Sequence, residues 1–323
     1  MLINNIVIMF KVRIFYFVIF LIIIYMSVKK AEGFVPGKFD YTVNMFDKVR
    51  GADAIREEVD NTNYNKREIE ARSKFTIKNQ DVKTMRKEYM EMYIKSTKDF
   101  KDQEKENVVG AIKSLFSRFK DQVPLIRAWN IIKVDNEVDW GYPHTFGNHI
   151  VIQEKHLGDM DSLAELLFHE QLHIIQRKNK SIFSEFYQKH WGFIPYELPD
   201  DEWINKYLVH NPDSNNEYYI YRLTDQIYML PLPVTYNDHY ELMEYGMFLT
   251  NEKKILAKGD EPHVEPLRYI AKYNERFYRV PSLYHPNEIF ATVLSGMVFR
   301  DLSITEKDST GLNALFKQLN LYF

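Results

Sequence analysis

A chain of 323 residues, 45% of them hydrophobic and 15% aromatic, can bury a real core as two domains or as one large domain with appendages. Its formal net charge of −3 argues against a general nucleic-acid partner. The absence of cysteine excludes disulfides, Cys-based zinc fingers and thiol nucleophiles, and leaves the compartment open.

Residues 1–33 read as a signal peptide or signal anchor. Lys11 and Arg13 precede an uncharged run from Ile14 to Val28, closed by Lys29 and Lys30. That run has the length of a signal-peptide core and falls short of the roughly 20 residues a spanning helix prefers. Ala31-Glu32-Gly33 offers a cleavage site. The basic residues on the two sides balance, so they assign no orientation. The expected location is therefore secreted or membrane-anchored.

Residues 34–122 read as a charged helical region, in which 34–79 is a prosegment, a stalk or a helical cap. From Asp81 to Glu106 mixed charges accompany a stripe of Met85, Tyr89, Met92 and Phe100, the pattern of a solvated helix with one packed face. A better amphipathic helix runs from Asn107 to Lys120, with Val108, Val109, Ile112, Leu115, Phe116 and Phe119 on one side. Pro124 ends this region. Ile126–Val134 and Ile150–Gln153 read as strands, with a Pro/Gly-rich loop between them. His144 and Thr145, in that loop, are either turn residues or neighbours of a cleft.

Asp161–Lys178 reads as one amphipathic helix, with Leu163, Leu166, Leu167, Ile174 and Ile175 at helical spacing. It contains His169-Glu170-Gln171-Leu172-His173. Histidines four apart leave the same helix face, so two neutral imidazoles can share one zinc ion at roughly 2.0–2.1 Å. Glu170 can then lean toward the open coordination position and accept a proton from a water there. The competing reading is a helix whose two histidines are hydrogen-bonded or solvated with no metal.

Ser181–His190 reads as a further helix, with Trp191–Pro199 as its exit. His210-Asn-Pro-Asp213 is a turn signal. Tyr218–Leu223 and Ile227–Tyr236 read as strands or extended loops, and Lys254–Val280 as a hairpin-like segment. A last apolar helix opens near Pro286-Asn287, with Ile289, Phe290, Val293, Leu294 and Met297 as its stripe. Glu288 stands in its first turn, where an acid either serves the helix dipole or meets a cation. His285 and His190 compete with it as a third ligand.

At His169, Glu170 and His173, with Asn287-Glu288-Ile-Phe-Ala291 as the second element, the chain resembles the zincin metallopeptidases of the gluzincin type. The resemblance spans two helices and implies an α+β, zincin-like domain over residues 123–323, with a strand-before-helix order and an edge strand beside the cleft. It implies Zn2+ held by His169, His173 and Glu288, and Glu170 as general base for hydrolysis of a peptide or protein substrate. Tyr284, His285 and His210 are candidate donors to the oxyanion. The long separation of His173 from Glu288 departs from many gluzincins and leaves room for an insertion between the ligand helices. The alternative is a secreted or membrane-tethered zinc-binding protein of zincin-like fold without proteolytic activity.

Overall fold

The computed structural model describes residues 41–59, 64–78, 80–119, 127–236, 241–277, 280–300 and 306–319. The apolar run 14–28 lies outside them. Among the described residues, no helix is long and apolar enough to cross a membrane. The architecture is α+β, with helices gathered around two sheets.

The first sheet draws on both ends of a long stretch of chain. Strand β1 (Thr42–Phe46) is followed by helices α1 (Lys48–Val59), α2 (Lys66–Arg72) and α3 (Val82–Lys95), strand β2 (Thr97–Lys98) and helix α4 (Asp102–Ser117). Strands β3 (Ala128–Val134), β4 (His144–Phe146) and β5 (His149–Gln153) then lead into α5 (Met160–Lys178), the helix of the motif. The order is β1-β3-β5-β4. β1 runs parallel to β3 with Thr42 opposite Ala128, and β5 runs parallel to β3 with His149 opposite Asn130. β4 closes the far edge antiparallel to β5, and β2 pairs antiparallel with the end of β3. Interior parallel strands are buried on both faces and need near-continuous apolar runs. Trp129, Ile131, Ile132 and Val134 of β3 and Ile150, Val151 and Ile152 of β5 supply them.

The stretch up to residue 122, read from sequence as a helical region, thus adds two strands to this sheet. Its expected helix from Asp81 to Glu106 is two helices. Asp81 caps α3 by accepting the N–H groups of Lys83 and Thr84, each at 3.1 Å. Met85, Tyr89 and Tyr93 form its buried stripe. At Ser96 the chain leaves the helix to pair Thr97 and Lys98 with β3, so Phe100 lies beyond it. In α4, Glu104 accepts the Lys101 N–H at 2.8 Å, and Val108, Ile112, Leu115 and Phe116 turn inward.

After α5 come α6 (Lys180–Phe186) and a π-helical turn, Tyr187–Trp191, closed by Gly192 at φ +81°. The helix expected over 181–190 is therefore shorter and ends in that turn. A second sheet follows, built from β6 (Phe193–Tyr196), helix α7 (Glu202–Tyr207), β7 (Tyr218–Arg222), β8 (Ile227–Val234) and β9 (Met243–Thr250). A small hairpin of β10 (Ala257–Lys258) and β11 (Glu261–Pro262) leads to β12 (Val264–Pro266). The second sheet is antiparallel, in the order β12-β9-β8-β7-β6. Trp203, Ile204 and Leu208 pack on Ile220, Leu230, Leu232 and Met247 to form its core.

Helices α8 (Ala271–Phe277), α9 (Pro286–Phe299) and α10 (Glu306–Leu319) complete the chain. α4 and α9 both pack on α5. Phe290 of α9 meets Phe183 and Phe186 of α6, with ring centroids 5.0 and 5.9 Å apart. The cap of α9 is His285, whose ring accepts the Asn287 N–H at 3.1 Å, with Pro286 in the first turn. The helix thus opens at Pro286, as the sequence leads one to expect, with Asn287 as its second residue.

Candidate metal centre

The packing of α9 on α5 brings His169, His173 and Glu288 together. The two histidine Nε2 atoms lie 3.1 Å apart, His169 Nε2 lies 3.4 Å from Glu288 Oε2, and His173 Nε2 lies 3.6 Å from Glu288 Oε1. A tetrahedral ion with ligand bonds of about 2.1 Å would separate its ligand atoms by roughly 3.4 Å. The two imidazoles and the Glu288 carboxylate, which meets each histidine with a different oxygen, thus lie near the spacing of ligands around a zinc ion.

Hydrogen bonding fixes the tautomer of His173. Gln176 Nε2 donates to the Asn287 carbonyl at 3.0 Å, which can only accept, so Gln176 Oε1 faces His173 Nδ1 at 2.9 Å. Nδ1 must then carry the proton, and the lone pair is on Nε2, pointing at Glu288. Tyr187 holds the same amide from below, accepting Gln176 Nε2 and donating to Asn287 Oδ1, both at 3.0 Å. Burial lowers the His173 pKa and favours its neutral, ligating form.

Glu288 is also held. Asn211 Nδ2 donates to its Oε1 at 2.8 Å and lies against the Tyr284 hydroxyl. Burial works against the Glu288 charge, but His173, His169 and Asn211 keep its carboxyl well below the ordinary carboxylate range. Glu170 behaves in the opposite way. Burial, with the acids Asp213 and Glu288 nearby, pushes its carboxyl well above that range. Its Oε2 is buried without a hydrogen-bond partner. A buried, orphaned carboxyl beside three converged donors suits a site built for a cation.

Asp213 stands close by, with ligand atoms of Glu170, His173 and Asp213 all within 4.8 Å of one another. Since His173 has one free lone pair, this trio and the Glu288 set compete for it, and the tighter spacing favours Glu288. Asp213 has another task. Its Oδ1 accepts the backbone N–H of Thr145 at 2.9 Å, and its carbonyl accepts Asn287 Nδ2 at 2.9 Å. Arg177 of α5 adds bonds to the Gly147 carbonyl at 2.6 Å, to Thr145 Oγ1 at 2.8 Å and to the Pro212 carbonyl at 3.2 Å. Loop 211–214 is thereby sewn to β4 on one side and to α9 on the other.

This closes the edge strand. The outward N–H of Thr145 is taken by Asp213, and its carbonyl faces Arg177 at 3.4 Å. The exposed strand expected beside the motif helix is an edge in topology, but its middle residue has no free backbone to offer a peptide.

A buried charge network ties the amino-terminal helices to the same loop. Glu68 of α2 accepts both the backbone N–H of His210 at 2.9 Å and its Nδ1 at 2.8 Å. Arg72 pairs with Glu68 at 2.9 Å and with Asp139, which also accepts the Tyr89 hydroxyl at 2.7 Å. Asp139 and Trp140 adopt left-handed backbone, φ +48° and +54°, a strain these bonds offset.

The other candidates fall outside the cluster. His285 uses one ring nitrogen for the Asn287 N–H and donates with the other to the Glu217 carbonyl at 3.0 Å, leaving none for a metal or an oxyanion. His190 packs on Phe186 at 5.3 Å, away from the three donors. His144 is buried between the Tyr93 hydroxyl, Asp139 and the Tyr142 carbonyl. His210 is engaged with Glu68, whereas Tyr284 lines the cleft. That cleft, of about 760 Å³, contains His169, Glu170 and Glu288 in its wall.

Gln176, Tyr187, Asn211 and Asp213 hold the site and were not singled out from sequence. No family model, no curated protein and no solved structure matches the chain.

Proposed function

We propose that the chain is a zinc-dependent peptidase of the gluzincin type, with His169, His173 and Glu288 as ligands and Glu170 as general base. One observation carries this reading: His169, His173 and the carboxylate of Glu288 converge within 3.1–3.6 Å, next to a buried Glu170, in the wall of a cleft. Zinc held there would supply Lewis acidity and bring the pKa of a water to about 7. Glu170 would serve as the base that takes a proton from water in the cleft and gives it to the leaving amine. Tyr284, kept protonated by burial and with its hydroxyl against Glu288, would turn its O–H to the developing oxyanion. Substrate is a peptide or protein, and the motif helix under a sheet with an edge strand belongs to a zincin-like fold. Export or membrane attachment through residues 14–28 is part of the same proposal.

The closed edge at Thr145 favours a second reading, a zinc-binding protein of this fold that does not hydrolyse peptides. Metal analysis of the full chain and of Glu170→Gln, with peptide-library digestion, separates the two. One zinc per chain in both, and cleavage by the parent alone, is the expected result. Zinc without cleavage supports the second reading, and a parent without zinc overturns both.

A further inference from the structure

Glu244 is a half-buried acid in the wall of the same cleft, and among the described residues it has no ion-pair partner. It sits on β9, opposite Pro233 of β8, which also lines the cleft. Ser282 Oγ donates to Oε1 at 3.1 Å and the Leu283 N–H donates to Oε2 at 3.0 Å. These two bonds aim the carboxylate and use one acceptor position on each oxygen, leaving the others open. They also fasten it to the segment that leads into Tyr284 and Glu288.

The described cations of the cleft have other partners. Arg72 is enclosed by Glu68 and Asp139, and Arg300 pairs with Glu165 at 2.7 Å. Burial pushes the Glu244 carboxyl up to about 7, and the nearby Glu288 charge adds to the rise. An acid in this position, oriented but with no counter-ion among the described residues, is destabilising in its charged form unless a ligand brings the missing charge. Leu242 and Pro281 flank it with apolar surface, which suits the methylene stem of a long basic side chain.

We infer that Glu244 is a specificity-determining residue that receives a cationic nitrogen of the substrate, from a lysine or arginine side chain or from a peptide amino terminus. This assignment rests on the peptidase reading for its meaning, but binding tests it separately from hydrolysis. The probes are peptides of one sequence carrying either lysine or norleucine, each with a free or an acetylated amino terminus. They are titrated against the zinc-loaded full chain in its Glu170→Gln form, with and without Glu244→Gln. A charged peptide should bind about tenfold or more tightly than its neutral counterpart, and Glu244→Gln should erase the difference. Loss of the preference on replacing lysine assigns the side chain as the source, and loss on acetylation assigns the amino terminus. Equal affinity of all four peptides, or no binding of any, overturns the inference. The comparison among peptides needs no Glu244 variant, so a poorly folded variant does not blunt it. If the preference is present while the unmutated chain cleaves nothing, the peptidase reading fails and the cation site stands.

Discussion

Gln176 joins α5 to α9 through a single amide: its Oε1 accepts a hydrogen bond from His173 Nδ1 at 2.9 Å, and its Nε2 donates to the Asn287 carbonyl at 3.0 Å. The residue before Glu288 is thereby linked to the histidine that faces it. Partners of this kind orient a ligand and raise its basicity.

Gln176→Leu keeps the volume of the side chain and removes both bonds. Zinc affinity should fall about 10- to 100-fold, the usual cost of losing such a partner. Competition against a chromophoric chelator measures it, and an unchanged affinity would show that His173 needs no such support.

Arg72 holds two buried carboxylates, Glu68 and Asp139, on one guanidinium. Arg72→Met leaves both without their cation and should cost about 3–5 kcal/mol. Urea unfolding of parent and variant reads the difference, and a loss below ~1 kcal/mol would mean the acids find other partners.

Acid should weaken the same network in a definite range. Burial alone would raise the Asp139 pKa, but Arg72, His144 and the Tyr89 hydroxyl outweigh it and hold the carboxyl low. A carboxyl depressed in the folded state contributes stability that is full above its unfolded pKa of about 3.9 and is lost as pH falls below that. The urea midpoint of the parent should therefore drop below pH ~4 more steeply than that of Asp139→Asn. Parallel slopes would remove Asp139 from the account.

Glu244 carries the opposite sign. Its folded pKa, about 7, lies above the unfolded value. Stability tied to its neutral form is present below pH ~4.3 and is lost as pH rises toward 7. Melting temperatures of the parent without peptide should decline over that interval relative to Glu244→Gln. Identical profiles would place the Glu244 carboxylate in ordinary solvent.

Tyr284→Phe removes the O–H beside Glu288 and leaves the ring. On the peptidase reading kcat should fall about 10²- to 10³-fold with KM little changed. A change confined to KM would make Tyr284 a substrate contact and leave the oxyanion to another donor.

The approach of His169 to His173 was legible because they lie one turn apart on a regular helix, where spacing alone sets geometry. Glu288 stood out as an acid in an apolar helix, and the fold brings it to the pair. Helices such as Asn107–Lys120 and strands such as Ile227–Tyr236 also declared themselves through local periodicity. What supports the site left no such mark. Asn211 and Asp213 lie in a loop whose Asn-Pro-Asp composition announces a turn and nothing about what the turn touches. Tyr187 sits in a π-helical turn, where 3.6-residue spacing fails. β1, Thr-Val-Asn-Met-Phe, is short and partly exposed, so its place beside β3 depends on a partner 86 residues away, Ala128 opposite Thr42. Thr145 reads as a residue of a Pro/Gly-rich loop, whereas the fold makes it the middle of β4 and brings Asp213 to its N–H from another part of the chain.

The pairing of β1 with β3 limits how far such a chain can be trimmed from its amino-terminal side. Residues from Thr42 onward are stitched into the sheet that carries the motif helix, and α2 grips the loop beside Glu288 through His210. A processing protease can therefore shorten the chain only ahead of Thr42 if the remainder is to keep its strand. Loss of β1 and α2 would take away a neighbour of β3 and the hold on His210, and with them two supports of the elements around His169, His173 and Glu288.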